Sequence, residues 1–188
     1  MDQSDPPVVL AVDDDDDVRT TYELWLNRDW EVRTASGGEE ALEELDPAVD
    51  VVLLDRMMPG LSGRDVLAAI GDREADPQVV MMTAVDPGLD IVEMPFDSYV
   101  TKPVDRDELN DTVDTMLERR EYDDRLQAYY ALVEKRATLE AENTESALQD
   151  DERYHELGDR IEELEGELHA EMGDMDTAEF AALLDDVV

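Results

Sequence analysis

The sequence predicts an α/β domain built on a doubly wound parallel sheet, followed by an all-helical segment. Apolar runs of strand length alternate five times with helical patterns over roughly the first 115 residues, which is typical of a parallel sheet covered by helices on both faces. From about Arg119 the composition changes, because no proline occurs from residue 104 to the end and Glu, Leu, Ala and Arg dominate. We therefore expect two structural units of different class.

The strands are predicted from short apolar runs bounded by turn or helix signals. Val8 to Val12 is β-branched and apolar on both faces, which suits a central parallel strand. Strands are predicted at residues 8–12, 30–35, 50–54, 78–82 and 97–101. Helices are predicted at 18–28, from Ser36 onward, at 65–70, at 89–94 as a short proline-bounded helix, and from Asp105 onward.

Two heptad-like seams mark the C-terminal segment. The first consists of Tyr122, Leu126, Tyr129 and Val133, and the second of Tyr154, Leu157, Ile161, Leu164 and Leu168. Each covers about two heptads, so a helical hairpin and a dimeric coiled coil are equally compatible with them. A last amphipathic piece is predicted at 177–184. The expected division is an N-terminal tail at 1–5, an α/β domain at 6–118 and a helical domain at 119–188.

The chain is strongly acidic, since 53 Asp and Glu against 15 Lys and Arg give a formal net charge of −38. This charge favours an acidic surface adapted to the high-salt cytoplasm of a halophile, where the Debye length falls to about 3 Å at 1 M salt. An acidic face for a basic partner is the alternative. The chain has no cysteine, no signal-like N-terminus and no apolar run near the ~20 residues that span a bilayer. We therefore expect a cytoplasmic protein without thiolate metal sites.

Polar residues close four of the five apolar runs. Asp13 and Asp14 follow the first strand, Asp55 ends the third, Thr83 the fourth and Lys102 the fifth. Lys102 is one of only two lysines in the chain. Because ligands bind outside the carboxyl ends of parallel strands, we expect these side chains to share one site.

The chemistry of this set indicates phosphoryl transfer. Oxygen ligands without Cys or nearby His favour Mg²⁺, here held by Asp14 and Asp55 with Asp13 bonding through water. One carboxylate can then act as a nucleophile and become an aspartyl phosphate. The ammonium of Lys102 and the hydroxyl of Thr83 would contact phosphoryl oxygens, and the new charge could draw that hydroxyl and its loop inward.

In this order the residues resemble the receiver domain of bacterial and archaeal response regulators. The resemblance covers residues 8 to about 118 and rests on Asp13-Asp14, Asp55 with Met58-Pro59-Gly60 and Gly63 behind it, Thr83-Ala84, and Lys102-Pro103. It implies a flavodoxin-like fold in which Asp55 accepts a phosphoryl group from a sensor histidine kinase. Such a domain catalyses its own phosphorylation and dephosphorylation and is not a conventional enzyme.

The resemblance also implies roles for individual site residues. Asp13, Asp14, Asp55 and the backbone carbonyl of Met57 would arrange Mg²⁺. A hydroxyl at the position of Thr83 and an aromatic ring at the position of Tyr99 would move together on activation.

The C-terminal segment resembles the HalX domain that follows receivers in haloarchaea. The matching stretches are Tyr122-Asp123-Asp124-Arg125-Leu126, Tyr129-Tyr130-Ala131-Leu132 and Lys135-Arg136-Ala137-Thr138-Leu139-Glu140. HalX domains are often supposed to bind DNA. However, residues 119–188 hold seven Arg or Lys against 22 Asp or Glu, whereas duplex binding needs clustered cations.

The function expected from these observations is a two-component phosphorelay regulator that signals through its C-terminal helices. Its expected partner is a histidine kinase, and a homodimer through the receiver or the C-terminal helices is compatible with the seams. The alternatives are a transcription regulator whose HalX-like domain binds DNA and a receiver-fold adaptor that is not phosphorylated. A hydrolase of the haloacid-dehalogenase type is disfavoured, because Met57 stands where that type needs a second aspartate.

Overall fold

The computed structural model describes residues 6–73, 75–84, 94–142, 144, 148 and 151–171. Its first unit contains one parallel sheet with the strand order β2-β1-β3-β4-β5. The strands are β1 (Val8–Val12), β2 (Glu31–Ala35), β3 (Val49–Asp55), β4 (Gln78–Thr83) and β5 (Ser98–Thr101). The predicted doubly wound α/β fold is confirmed.

Helices connect the strands and continue into the C-terminal segment. They are α1 (Asp16–Leu26), α2 (Gly38–Glu44), α3 (Gly63–Ile70), α4 (Arg106–Glu142) and α5 (Glu152–Glu171). The helix predicted at 89–94 falls almost entirely on residues outside the described ranges, and the piece predicted at 177–184 lies wholly outside them. No helix among the described residues has the length and apolar character needed to cross a membrane.

Helix α1 begins two residues before its predicted start and ends two residues before its predicted end. Asp15 is its N-cap, and the Asp15 carboxylate accepts a hydrogen bond from the backbone N–H of Asp17 at 2.9 Å. Acidic residues in a first turn are favourable near the positive end of the helix dipole, so Asp15, Asp16 and Asp17 belong to the helix start. This places α1 directly behind the end of β1.

Successive strand residues point to opposite faces of the sheet, and both faces are covered by apolar side chains. On one face, Leu10, Val52 and Met81 pack with Val66 and Leu67 of α3. On the other face the strand residues pack with α1 and α4. That cluster contains Val9, Ala11, Val51, Leu53, Val80, Met82, Tyr22, Leu26, Leu109, Val113 and Met116. The central strands are therefore apolar on both sides, as a parallel sheet requires.

The strand register brings the carboxyl ends of the central strands to one rim. Val12 pairs with Leu54, and Asp55 pairs with Met82. Thr83 pairs with Thr101, the last residue of β5. Residues that follow β1, β3, β4 and β5 therefore emerge at the same edge of the sheet.

The backbone contacts divide the chain into a unit of residues 1–120 and a unit of residues 121–188. In the second unit, Leu168 of α5 is fully buried against side chains of α4, namely Tyr122, Leu126, Tyr129 and Tyr130. The Tyr154 hydroxyl of α5 donates a hydrogen bond to Glu140 of α4 at 2.6 Å. The two predicted seams thus contact each other within one chain, which is the arrangement that a helical hairpin predicts.

Candidate phosphorylation site

Three polar residues at the carboxyl rim are buried. Asp13 follows β1 and is 2% exposed, Asp55 ends β3 at 6%, and Thr83 ends β4 at 0%. Within the described ranges they are the only buried polar or charged residues. Burying a carboxylate is costly unless it is paired and hydrogen-bonded, so the partners of these groups define the site.

Lys102 joins the two buried carboxylates. Its Nζ donates to Oδ2 of Asp13 at 2.5 Å and to Oδ1 of Asp55 at 2.6 Å. Burial lowers the pKa of Lys102, but the hydrogen bonds and charges of Asp13 and Asp55 outweigh it, so this pKa is raised overall. Lys102 is therefore a cation held between the two buried carboxylates.

The second oxygen of each buried carboxylate is held by the backbone. Oδ1 of Asp13 accepts a hydrogen bond from the N–H of Asp15 at 2.9 Å. Oδ2 of Asp55 accepts one from the N–H of Met57 at 3.1 Å. Each carboxylate thus has one oxygen on Lys102 and one on the N–H two residues later, which fixes its orientation.

The loop around Asp55 depends on a close approach of α3. A methyl group on Gly63 would lie 2.2 Å from the Asp55 carbonyl oxygen and 2.9 Å from Cα of Arg56. Ser62 caps α3 through a capping box with Asp65, in which the Ser62 hydroxyl accepts from the Asp65 N–H at 3.4 Å and the Asp65 carboxylate accepts from the Ser62 N–H at 3.1 Å. The cap and the glycine together seat the start of α3 directly on the backbone of the site.

The residues present fit a hard divalent cation. Asp13, Asp14 and Asp55 each offer a carboxylate oxygen, and these atoms all lie within 4.8 Å of one another. Asp14 is exposed, whereas Asp13 and Asp55 are buried. An all-oxygen set with one side open to water suits Mg²⁺, which keeps several of its waters. Met57, whose N–H contacts Asp55, is 67% exposed.

Thr83 and Tyr99, the predicted switch pair, lie on neighbouring strands. Tyr99 pairs in register with Met81, two residues before Thr83, so both side chains belong to the same face of the sheet. The Tyr99 ring is half-buried and packs on Phe96 with a centroid separation of 5.7 Å. Coupled movement of the two side chains remains a prediction.

Two further residues lie at the site without having been predicted to do so. Arg19 of α1 donates to the backbone carbonyl of Asp13 at 2.6 Å and to Asp16 at 2.8 Å. Tyr22, predicted only as part of the apolar face of α1, lies within electrostatic reach of Lys102, Asp13 and Asp55. The sequence offered one indication of this position for Tyr22. A tyrosine, which carries a polar hydroxyl, stands on the inward face of α1, where an aliphatic residue could pack equally well.

Comparison with known families identifies both parts of the chain. The family described as "Response regulator receiver domain" matches residues 9–114, which is more than half of the chain. The HalX domain matches residues 118–184.

Similar proteins come from archaea and bacteria. A Haloferax volcanii protein, provisionally named as a transcriptional regulator, is 46% identical over 164 residues, covering 87% of this chain and 28% of that protein. The sensory transduction protein RegX3 of Mycobacterium tuberculosis is 38% identical, covering 62% of this chain and 53% of RegX3. The chain thus spans about half, or less, of the length of these relatives.

Similar solved structures support the same assignment. The response regulator DrrB of Thermotoga maritima superposes with a TM-score of 0.56 at 30% identity, covering 61% of this chain and 54% of DrrB. A CheY-like receiver domain from Methanospirillum hungatei gives a TM-score of 0.55 at 28% identity, covering 61% and 97%. Sequence, sheet order and rim chemistry agree, and the chain belongs to the response regulator receiver family, with a HalX domain after its receiver.

Proposed function

We propose that this protein is a two-component response regulator in which Asp55 accepts a phosphoryl group from a histidine kinase. The observation that carries the proposal is the Lys102 ammonium held at 2.6 Å from Asp55 and 2.5 Å from Asp13 at a buried rim. Such a fixed cation beside a nucleophilic carboxylate is what a transferred phosphoryl group requires, because its oxygens carry negative charge.

The transfer follows from the groups at the rim. A carboxylate oxygen of Asp55 attacks the phosphorus of a phosphohistidine, the P–N bond breaks, and its electron pair returns to the imidazole. An acyl phosphate then exists on Asp55. Lys102, which already contacts Asp55, neutralises a phosphoryl oxygen as a compact point charge. The Met57 N–H keeps the other carboxyl oxygen oriented during the transfer.

Asp13, Asp14, Asp55 and the backbone carbonyl of Met57 are the groups proposed to hold Mg²⁺. The bound cation would offset the charge of the incoming phosphoryl group. The role of the chain itself is to hold Asp13 and Asp55 in fixed orientations, each by one backbone N–H and by Lys102.

Signalling beyond Asp55 is proposed to use Thr83, Tyr99 and the C-terminal helices. A phosphoryl group offers three acceptor oxygens, and the buried Thr83 hydroxyl lies at the end of the adjoining strand β4. Movement of Thr83 would free space on the face that Tyr99 shares. The output is then read by a partner of the helical unit, and the boundary between the two parts is proposed near residue 118.

DNA binding by the HalX domain is the second candidate, because the Haloferax volcanii relative is named for transcriptional regulation. The charges of the second unit weigh against it. Its arginines pair with nearby acids, as Arg125 does with Glu121 at 2.8 Å and Arg153 with Asp151 at 2.6 Å. A gel-shift assay of labelled promoter DNA in molar salt with BeF3⁻-treated protein is expected to show no shift. A shift of the labelled DNA that unlabelled promoter DNA abolishes would favour this candidate.

The proposed function is tested by incubating the protein with acetyl phosphate and Mg²⁺ in molar KCl and recording intact mass. Wild type should gain one phosphoryl group, and Asp55→Asn should gain none. Asp72→Asn, which removes an exposed carboxylate after α3, is the matched control and should be labelled like wild type.

Two results would contradict the proposal. Equal labelling of Asp55→Asn would place the phosphoryl group elsewhere. A wild-type protein that is neither labelled nor altered by BeF3⁻ and Mg²⁺ would favour the non-phosphorylated adaptor. One similar structure is the BeF3-activated DrrB receiver domain, at 28% identity and a TM-score of 0.56 over 61% of this chain, which makes BeF3⁻ a suitable probe.

A further inference from the structure

A mainly apolar cavity of about 440 Å³ adjoins Lys102. Its walls come from α1 and from the segment after β5. They include Val18, Tyr22, Trp25, Lys102, Pro103 and Val104. The buried ion pairs of Lys102 therefore border a hydrophobic wall on the side of α1.

Tyr22 is the buried residue of this wall. It is 5% exposed and belongs to the cluster of α1, α4 and the sheet face between them. Its ring lies 6.2 Å from that of Trp25, measured between centroids. Burial raises the pKa of Tyr22 to about 12, with smaller effects from the charges of Lys102, Asp13 and Asp55. The phenol is therefore neutral and adds no competing charge beside the ammonium.

Lys102 needs such a wall for a physical reason. A lysine side chain has four methylene groups joined by rotatable bonds, and its ammonium is strongly hydrated. The ammonium therefore loses its fixed position wherever water has access. Here the side chain is only 18% exposed, and its ammonium must stay between two carboxylates. Excluding water also lowers the local dielectric constant and strengthens the attraction between the ammonium and nearby anions.

We propose that Tyr22 is a positioning residue for phosphoryl transfer, whose ring walls the Lys102 stem and keeps the ammonium directed at Asp55. The inference rests on the proposed function of Asp55 and deepens it. Tyr22 does not touch the reacting atoms, so its effect must pass through Lys102.

The test compares phosphorylation rates with acetyl phosphate and Mg²⁺ in molar KCl for full-length variants. Tyr22→Leu opens the wall and should slow phosphorylation at least about threefold, because small displacements of a charged group are costly in transfer reactions. Tyr22→Phe keeps the ring and should be phosphorylated at the wild-type rate. Leu26→Val, in the same cluster and 0% exposed, is the control for lost packing and should lower the melting temperature without slowing phosphorylation.

A double-mutant cycle with Lys102→Ala separates positioning from general packing. If Tyr22 acts through Lys102, adding Tyr22→Leu to Lys102→Ala should cause no further loss of rate. An equal fractional loss in both backgrounds would overturn the inference. Should Tyr22→Leu fail to fold, Tyr22→Met enters the same cycle, with the same two outcomes.

The result is also distinguishable from failure of the proposed function. Labelling of Asp55→Asn would refute the function itself, whatever the Tyr22 variants do. Labelling that depends on Asp55 but is equally fast in Tyr22→Leu and wild type would refute only the role of Tyr22.

Discussion

At the level of single residues, the site depends on two buried carboxylates that share one ammonium. In both Asp13 and Asp55, one carboxylate oxygen accepts a hydrogen bond from Lys102 and the other accepts one from a backbone N–H. Neither carboxylate can therefore rotate without breaking two hydrogen bonds. This arrangement keeps the site ordered before any phosphoryl donor arrives, which is the condition for electrostatic stabilisation without reorganisation.

The alkaline limb of the stability curve should report on Tyr22 and Lys102. The pKa values of both are raised in the folded protein, that of Tyr22 from 10.0 to about 12. The folded state therefore keeps protons that the unfolded chain releases. The contribution of these protonated groups to the free energy of unfolding is complete below about pH 10 and declines as the pH rises toward 12. The absorbance difference between wild type and Tyr22→Phe should show the phenolate appearing near pH 12. A midpoint near 10 would contradict the burial of this ring.

Gly63 is the backbone position most sensitive to an added side chain. A methyl group there would lie 2.2 Å from the Asp55 carbonyl oxygen, so Gly63→Ala should destabilise the receiver by about 2 kcal/mol and slow phosphorylation. Gly37→Ala meets nothing within 4 Å and is the matched control. Urea denaturation of both variants, followed by the phosphorylation assay, checks the prediction. Equal stability of the two would show that α3 can shift away from Asp55 at little cost.

At the level of secondary-structure elements, α5 carries two glycines at which no neighbour limits an added methyl group. A Cβ at Gly158 or Gly166 would meet no atom within 4 Å. Gly158→Ala and Gly166→Ala should therefore each stabilise the helix by about 1 kcal/mol, through the lower helix propensity of glycine. Thermal unfolding followed by circular dichroism tests this, with Gly37→Ala as a control outside α5. A lower midpoint for either α5 variant would indicate that the glycine serves a contact with a partner.

The central strands β1, β3 and β4 were predictable because each is largely buried on both faces and is closed by a polar residue. Burial of this kind leaves a continuous apolar run, as at residues 51–54 of β3, whose pattern is readable without knowledge of the neighbours. The ends of α1 were less predictable. Asp16 and Asp17 resemble loop residues by composition, yet they begin the helix because Asp15 caps it. Local capping geometry decided this boundary, not hydrophobic periodicity.

The candidate site was predictable only in part, because strand order can be inferred from the sequence whereas the packing of α1 cannot. The convergence of Asp13, Asp55 and Lys102 follows from the parallel strand order, which brings all strand ends to one rim. The proximity of Tyr22 and Arg19 depends instead on the rotation of α1 about its axis and on how it packs beside the rim. That rotation is set by tertiary packing, and the spacing of apolar residues defines it no better than to one broad face.

At the level of the whole molecule, the net charge of −38 should make stability depend strongly on salt. Repulsion between exposed acids is screened as the Debye length falls from about 10 Å at 0.1 M to about 3 Å at 1 M. We therefore expect the melting temperature to rise between 0.1 and 3 M KCl, by ~10 °C or more, since many weak repulsions add. A level midpoint over that range would refute the link between charge and salt adaptation.

The scarcity of lysine has a practical consequence for optical experiments. Lys102 is clamped by two carboxylates and mostly shielded, whereas the other lysine, Lys135, is exposed on α4 in the second unit. A fluorescent succinimidyl ester should consequently attach at Lys135 and at the chain's amino terminus while sparing Lys102. The helical unit can thus be given a dye without any engineered cysteine, and its response to events at Asp55 can be followed in single molecules.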